Sequence, residues 1–259
     1  MVRPRPSGRG RFAPRIVGTG LMAFGVVLAV FGLVALALGH GGRGFVTTAG
    51  VSALVGGVAW RLGSAEGEPS RRESLLSVLL LWIVVPFMGA WPYVLDGGMS
   101  FTDGLFESMS GFTTTGATVL RDFGAFGPEL FLWRALSQWV GGVGIIVLFI
   151  AVFPQLAIAG RQLFFAEAPG PTEERMTPRL RNTASAVLIV YVGLTVACAL
   201  GYLATGMGPY DAVAHAFTTL AAGGFSPQAR SFEGFGAGTQ WVAIVFMTFA
   251  GANFALQFR

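Results

Sequence analysis

The stretch GFTTTGAT, residues 111–118, places three consecutive threonines and a glycine in the middle of a strongly apolar chain. Long runs of apolar residues lie on both sides of it. A polar, irregular segment in such surroundings is either a turn at the end of a buried helix or a backbone that serves a buried site. The rest of the sequence bears on the choice between these two interpretations.

Composition indicates a membrane protein. Of the 259 residues, 53% are hydrophobic and 12% are charged, about half the charged fraction of a typical soluble domain. The single cysteine, Cys198, excludes an intramolecular disulfide framework and a thiolate metal cluster. All basic residues are arginines that lie between apolar segments, so they form no stripe with interleaved aromatic residues and predict no nucleic-acid partner.

Six apolar runs have about the 20 residues that a membrane-spanning helix needs. Pro86 and Pro92 predict a kink in the third run. Arginines in short loops are retained in the cytoplasm, which predicts a multi-pass protein of the cytoplasmic (inner) membrane, surrounded by lipid, with a cytoplasmic N-terminus. The predicted spans are 16–38, 44–62, 74–95, 130–154, 183–205 and 239–258.

Two outer connections each contain a helix-like segment that is too short to cross a membrane, 101–112 and 209–220, followed by a glycine-containing polar stretch. The sequences DGLFESMSGFTTTGAT and DAVAHAFTTLAAGGFS align at an offset of 108 residues, which pairs Gly116 with Gly224. Gln-Trp-Val recurs at the start of the following apolar run in each case, at Gln138 and at Gln240. The recurring order predicts a repeat of helix, re-entrant pore helix, extended strand and helix.

The predicted fold is therefore an all-α polytopic membrane protein. An N-terminal helix pair, residues 1–73, precedes a first pore unit, 74–160, and a second pore unit with its preceding cytoplasmic loop, 161–259. The arginine-rich loop 161–181 is the best candidate surface for a soluble partner.

The repeated glycine stretch suits a dehydrated cation, because backbone carbonyls can replace the water shell of an ion. Glycine at positions 116 and 224 permits backbone angles that a side chain often forbids. No carboxylate lies in either stretch, which favours a monovalent over a divalent ion. The sequence shows no Ser/His/Asp set, no glycine-rich phosphate loop and no metal cluster on a common face, so we expect no enzyme and no cofactor.

Three segments carry a family resemblance: FESMSGFTTTGATVL at 106–120, WRALSQWVGGVGIIVL at 133–148 and AFTTLAAGGFSP at 216–227. They resemble the TrkH branch of the Trk/Ktr/HKT potassium transporters. The resemblance implies four pore units around one potassium pore, a homodimer and a cytoplasmic nucleotide-binding regulatory subunit of the TrkA type. It also implies potassium as the transported substrate, with backbone carbonyls of Thr114, Thr115, Ala222 and Gly223 as ligands, and Thr113, Gly116, Ala221 and Gly224 as support of the filter strands.

Two questions stay open in the sequence. Glu107, in the first pore helix, either has a functional role or supports the filter backbone by hydrogen bonds, and His215 occupies the equivalent repeat position. The chain also contains only two of the four units that the family implies. It is thus expected to be either part of a potassium-uptake pore, passive or coupled, or a non-conducting half-transporter or membrane scaffold that binds regulatory or full-length partner subunits.

Overall fold

The computed structural model of the chain describes residues 12–64, 70–124, 126–145 and 177–251. Within these residues all regular structure is helical and no strand occurs, which confirms the predicted all-α class. The helices are α1 (Phe12–Ala37), α2 (Arg43–Leu62), α3 (Arg71–Gly89), α4 (Trp91–Leu95), α5 (Phe101–Phe112), α6 (128–145), α7 (Thr177–Ala204), α8 (Pro209–Leu220) and α9 (Ala237–Gly251), with a 3-10 turn at Ser231–Gly234.

Four stretches of helix in the described part of the chain are long and apolar enough to cross a membrane. They correspond to the first, second, third and fifth predicted spans. The fourth and sixth predicted spans, 130–154 and 239–258, extend beyond the described residues, as does most of the loop 161–181. The four stretches are Phe12–Ala37, Arg43–Leu62, Arg72–Leu95 and Ser185–Ala204.

Helices α1 and α2 pack closely because small residues line their contact. A Cβ atom at Gly18 would lie 2.5 Å from the Gly56 carbonyl oxygen, and one at Gly25 would lie 3.0 Å from the Ala49 carbonyl oxygen. Seven residues further along α1, a Cβ atom at Gly32 would again contact α2. Glycine spaced every seven residues along α1 therefore lets the two backbones approach.

The third predicted span is divided into two helices. Helix α3 begins with a capping box, in which Ser70 and Glu73 satisfy each other's backbone N–H groups. It continues through Pro86 to Gly89, and α4 begins after Ala90 with Pro92 in its first turn. The predicted interruption thus occurs at Pro92, where proline is compatible with a helix start, while Pro86 lies inside a helix.

Helices α5 and α8 have the bounds of the two predicted short segments. Ser100 precedes α5 and exchanges hydrogen bonds with Asp103, since its Oγ accepts from the Asp103 N–H at 3.2 Å and donates to the Asp103 carboxylate at 2.8 Å. Helix α8 begins with Pro209, which follows Gly208. Both helices thus have a defined start, and both end where a glycine-containing loop begins.

Packing divides the chain into two compact units. One comprises Met1–Met109 and Thr118–Phe131, and the other comprises Ser110–Ala117 and Leu132–Arg259. The second unit has a buried core to which α7 contributes Tyr191, Cys198 and Tyr202, and to which α8 contributes its small residues. The division of the sequence at residues 73 and 160 stays a prediction.

Candidate functional site

The two glycine-containing loops have positive φ values at equivalent positions. We call residues 113–118 the first filter loop and residues 221–226 the second filter loop. In the first, Thr114 and Gly116 have φ values of 54° and 74°, and in the second, Ala222 and Gly224 have φ values of 50° and 80°. Left-handed residues therefore alternate with ordinary ones in both loops, at positions 108 residues apart.

This alternation changes the direction of the backbone carbonyls. In an ordinary extended chain, successive peptide units point to opposite sides. A left-handed residue at every second position reverses this, so successive carbonyl oxygens can point to the same side. Glycine adopts these angles at little cost, as predicted for Gly116 and Gly224. The loops thus have the backbone of a carbonyl-lined cation site.

Thr114 and Ala222 are two residues of the candidate site whose conformation the sequence did not reveal. A side chain in the left-handed region costs about 1–2 kcal/mol. In the first loop the N–H groups of Thr114 and Thr115 donate to carbonyls of α5, at 2.9 and 3.0 Å. In the second loop the N–H groups of Ala222 and Gly223 donate to the equivalent carbonyls of α8, at 3.1 and 3.0 Å. These paired hydrogen bonds offset the cost of the unusual angles.

The filter residues implied by the resemblance differ in exposure. Thr115 and Ala222 are exposed, Thr114 is half-buried and Gly223 is buried. The Ala221 side chain is also buried. The hydroxyl groups of Thr113 and Thr115 hydrogen-bond to each other at 2.9 Å.

Gly116 approaches the second filter loop closely. A Cβ atom built on Gly116 would overlap the carbonyl oxygen of Gly223. By contrast, a Cβ atom on Gly224 would have no heavy atom within 4 Å. Glycine at 116 is therefore required for space as well as for conformation.

Glu107 supports the end of the first filter loop. It lies in α5 with an exposed fraction of 0%. Its carboxylate accepts hydrogen bonds from the Thr118 hydroxyl and, at 2.7 Å, from the Val119 N–H. These contacts are the ones expected of the supporting role, and they are made with the last residue of the loop and the residue that follows it.

His215 makes the equivalent contact in the second loop. Its Nδ1 lies 2.8 Å from the Asp211 carbonyl oxygen, and its Nε2 lies 3.0 Å from the Ser226 hydroxyl. A carbonyl oxygen only accepts, so in the neutral ring Nδ1 carries the hydrogen and Nε2 accepts from Ser226. The pairs Glu107–Thr118 and His215–Ser226 are both eleven residues apart, and they are repeat-equivalent although their chemistry differs.

Two residues of α6 contact the second filter loop, and sequence reasoning assigned neither to the site. The Gln138 Oε1 accepts from the Phe225 N–H at 3.1 Å. The Arg134 guanidinium donates to the Ser226 carbonyl at 3.3 Å and lies 4.0 Å from the centre of the Phe225 ring. Their spacing could have identified them from the sequence, since Arg134 and Gln138 lie one helical turn apart in an apolar segment, and polar residues inside a membrane often have a functional role.

The loops offer oxygen ligands from the backbone. Among the described residues, no group of three or more His, Cys, Asp or Glu side chains is arranged to hold a metal ion. Carbonyl and hydroxyl oxygens are hard ligands that suit alkali cations. The oxygen atoms of the loops therefore suit a monovalent cation better than a divalent one.

Comparison with known proteins agrees with this geometry. The chain is 40% identical over 254 residues to the Trk system potassium uptake protein TrkH of Escherichia coli K12, which covers 96% of this chain and 53% of that protein. It is 37% identical over 181 residues to TrkG of the same organism, covering 68% of this chain and 37% of that protein. The chain thus spans about half the length of the curated relatives that it matches.

The fold also matches a solved structure, the crystal structure of the potassium transporter TrkH from Vibrio parahaemolyticus. The TM-score is 0.83 at 37% sequence identity, and the match covers 96% of this chain and 51% of the other. The TrkH family, described as cation transport protein, matches residues 42–259. The chain is a membrane protein that belongs to the TrkH family.

Proposed function

We propose that this chain takes up potassium as part of a membrane pore whose two filter loops bind the dehydrated ion through backbone carbonyls. The observation that carries this proposal is the alternation of left-handed residues, Thr114 with Gly116 and Ala222 with Gly224, in two loops of one chain. The proposed ligands are the carbonyl oxygens of Thr114, Thr115, Ala222 and Gly223. The neighbouring residues Thr113, Gly116, Ala221 and Gly224 support them.

Potassium is proposed as the substrate for two reasons. The loops offer neutral oxygen atoms and no carboxylate, which suits a monovalent ion better than a divalent one. The relatives in Escherichia coli are named as potassium uptake proteins. No cofactor is needed, because carbonyl oxygens alone can replace the hydration shell.

The pore helices contribute to binding electrostatically. Helices α5 and α8 each direct a C-terminus toward a filter loop, and a helix C-terminus carries about half a negative charge. Each helix is connected to the end of its loop by a side-chain contact, through Glu107 in one case and His215 in the other. A cation held by the carbonyls is thus stabilised by a fixed and pre-oriented field.

The proposed setting is the inner membrane, with the N-terminus in the cytoplasm. The segments 1–73, 74–160 and 161–259 are proposed as the N-terminal helix pair and two pore units. Two filter loops surround only part of an ion, so a complete pore requires two more loops, as the family's four-unit architecture implies. A homodimer and a cytoplasmic TrkA-type nucleotide-binding subunit are the partners proposed on the same resemblance.

Growth of cells that lack potassium uptake systems tests the proposal. The cells receive either the 259-residue chain alone or the chain joined to the remaining half of the Escherichia coli relative. We expect the joined protein to restore growth at low potassium and to take up potassium in preference to sodium. Potassium uptake by the chain alone would show that copies of it assemble into a pore. If the chain alone takes up no potassium but still binds a full-length partner, the non-conducting alternative is indicated. Silence of both proteins, at normal amounts in the membrane, would refute potassium uptake.

A further inference from the structure

Helix α6 places two polar side chains, Arg134 and Gln138, in the interior of the second unit. Their exposed fractions are 1% and 0%. Burying a cation and an amide is costly unless both have specific contacts. Both side chains reach the second filter loop, which follows 87 to 92 residues later in the sequence.

The Gln138 amide occupies the space that a side chain at Gly223 would need. A Cβ atom built there would lie 2.5 Å from Oε1 and 2.6 Å from Nε2 of Gln138. Gly223 is not among the residues with positive φ, so glycine is needed here for space. The same amide accepts the Phe225 N–H at 3.1 Å, which anchors the loop two residues further on.

The amide also lies close to the first filter loop. Its Nε2 would be 3.6 Å from a Cβ atom built on Gly116, and that Cβ atom would overlap the Gly223 carbonyl oxygen. Gln138 therefore stands where Gly116 and Gly223 approach each other. Its Nε2 is buried and has no hydrogen-bond partner among the described residues, so both amide hydrogens remain available to oxygen atoms at this junction.

We infer that Gln138 is the positioning residue that sets the separation of the two filter loops and thereby determines selectivity between potassium and sodium. The inference rests on the proposed potassium function. The Gln138 amide holds the second filter loop in place by accepting the hydrogen bond of the Phe225 N–H. Arg134 holds the next residue by donating to the Ser226 carbonyl at 3.3 Å. Since selectivity depends on the arrangement and number of carbonyl oxygens around the ion, a residue that spaces the loops acts on it directly.

The first test replaces Gln138 by methionine, which has a similar length but no acceptor for the Phe225 N–H. We expect the ratio of potassium to sodium uptake by the joined protein to fall about tenfold, because a buried donor loses its partner. The matched control is Trp139→Phe, one residue further along α6, which removes a hydrogen bond of 3.0 Å to Thr195. This control should keep the ratio, since Thr195 lies on α7 and outside both loops.

A double-mutant cycle tests the contact itself. Gly223→Ala alone should lower the ratio because its Cβ atom meets the Gln138 amide. On a Gln138→Ser background the space beside Gly223 is open. Gly223→Ala should then lower the ratio of potassium to sodium uptake by less than about twofold, which is the deviation within which independent changes usually add. Full additivity of the two changes would show that Gln138 does not space this strand.

A binding measurement separates the inference from the proposed function. The purified 259-residue chain is heated in potassium chloride and in sodium chloride, and we expect potassium to raise its melting temperature more than sodium. Gln138→Met should remove this difference. If the methionine variant does not accumulate, Gln138→Asn takes its place in the measurement, since its amide is one methylene shorter. If the wild-type joined protein takes up potassium while the variant retains its selectivity and its potassium-specific stabilisation, the inference is wrong and the function stands. If the wild type takes up no potassium, the proposed function itself fails.

Discussion

Gly116 and Gly224 are repeat-equivalent, but their surroundings differ. Both have positive φ, 74° and 80°. A Cβ atom at Gly224 would be in open space, whereas one at Gly116 would overlap the carbonyl oxygen of Gly223. Gly224 is therefore constrained by its conformation alone, and Gly116 is constrained by its conformation and by a neighbouring backbone atom.

Alanine substitutions should separate these two constraints. Gly224→Ala should cost about 1–2 kcal/mol, the strain of a left-handed alanine, and should leave part of the preference for potassium over sodium. Gly116→Ala adds a clash with backbone that cannot rotate away, so it should abolish the preference. The measurement is the uptake ratio of the two ions in cells at matched membrane amounts. An equal loss in both variants would contradict the close approach of Gly116 to Gly223.

At the residue scale, the sequence predicted the glycines but not their partners. Glycine in a polar stretch signals unusual backbone angles, which positive φ at both positions shows. Thr114 and Ala222 also have positive φ, yet threonine and alanine carry no such signal, because their conformation depends on hydrogen bonds to the preceding helix. The sequence showed Gln138 only as part of the recurring Gln-Trp-Val, since its contact with Phe225 forms between residues that are 87 positions apart in the chain.

At the scale of elements, local chemistry explains what could be predicted. Helices α5 and α8 were predicted with their observed bounds, because the first residues of each are set by a serine cap or a proline and each ends where a glycine-containing stretch begins. A kink in the third span was predicted from Pro86 and Pro92, but its position, at Ala90 and before Pro92, was not. Hydropathy describes α3 and α4 as one apolar run, and it does not distinguish a proline inside a helix from one that starts the next.

The packing of α1 on α2 allows a stability prediction. Gly18→Ala places a Cβ atom 2.5 Å from backbone atoms of Gly56 and Trp60, so the helices must separate, at a cost of about 1–3 kcal/mol. Gly50→Ala, in α2, meets nothing within 4 Å and is the matched control, since both changes gain helix propensity. Thermal unfolding in detergent should show a lower melting temperature for Gly18→Ala and an unchanged or higher one for Gly50→Ala. Equal melting temperatures would show that α1 and α2 do not pack at Gly18.

At the scale of the whole molecule, the two repeats differ in how the tryptophan of their Gln-Trp-Val sequence is packed. Trp139 packs against Tyr191 with ring centres 5.4 Å apart, and its indole N–H donates to Thr195 at 3.0 Å. The equivalent residue, Trp241, has an exposed fraction of 65%. Helix α7 thus covers in the first repeat what the described residues leave uncovered in the second. A face of this kind is where a further pore unit would pack under the proposed architecture.

The arginine distribution leads to a prediction about orientation across the membrane. Arg15, at the start of α1, lies 4.4 Å from the ring centre of Trp60, at the end of α2, so the two helix ends share one side. The arginines around this side predict that it is cytoplasmic. Alkaline phosphatase needs disulfides and is active only outside the cytoplasm, so a fusion after Ser64 should be inactive and one after Gly98, beyond α4, should be active. Replacing Arg61, Arg71 and Arg72 by glutamine should weaken this contrast, because the charges retain the loop. Activity at Ser64 with none at Gly98 would show that the orientation is the reverse of the predicted one.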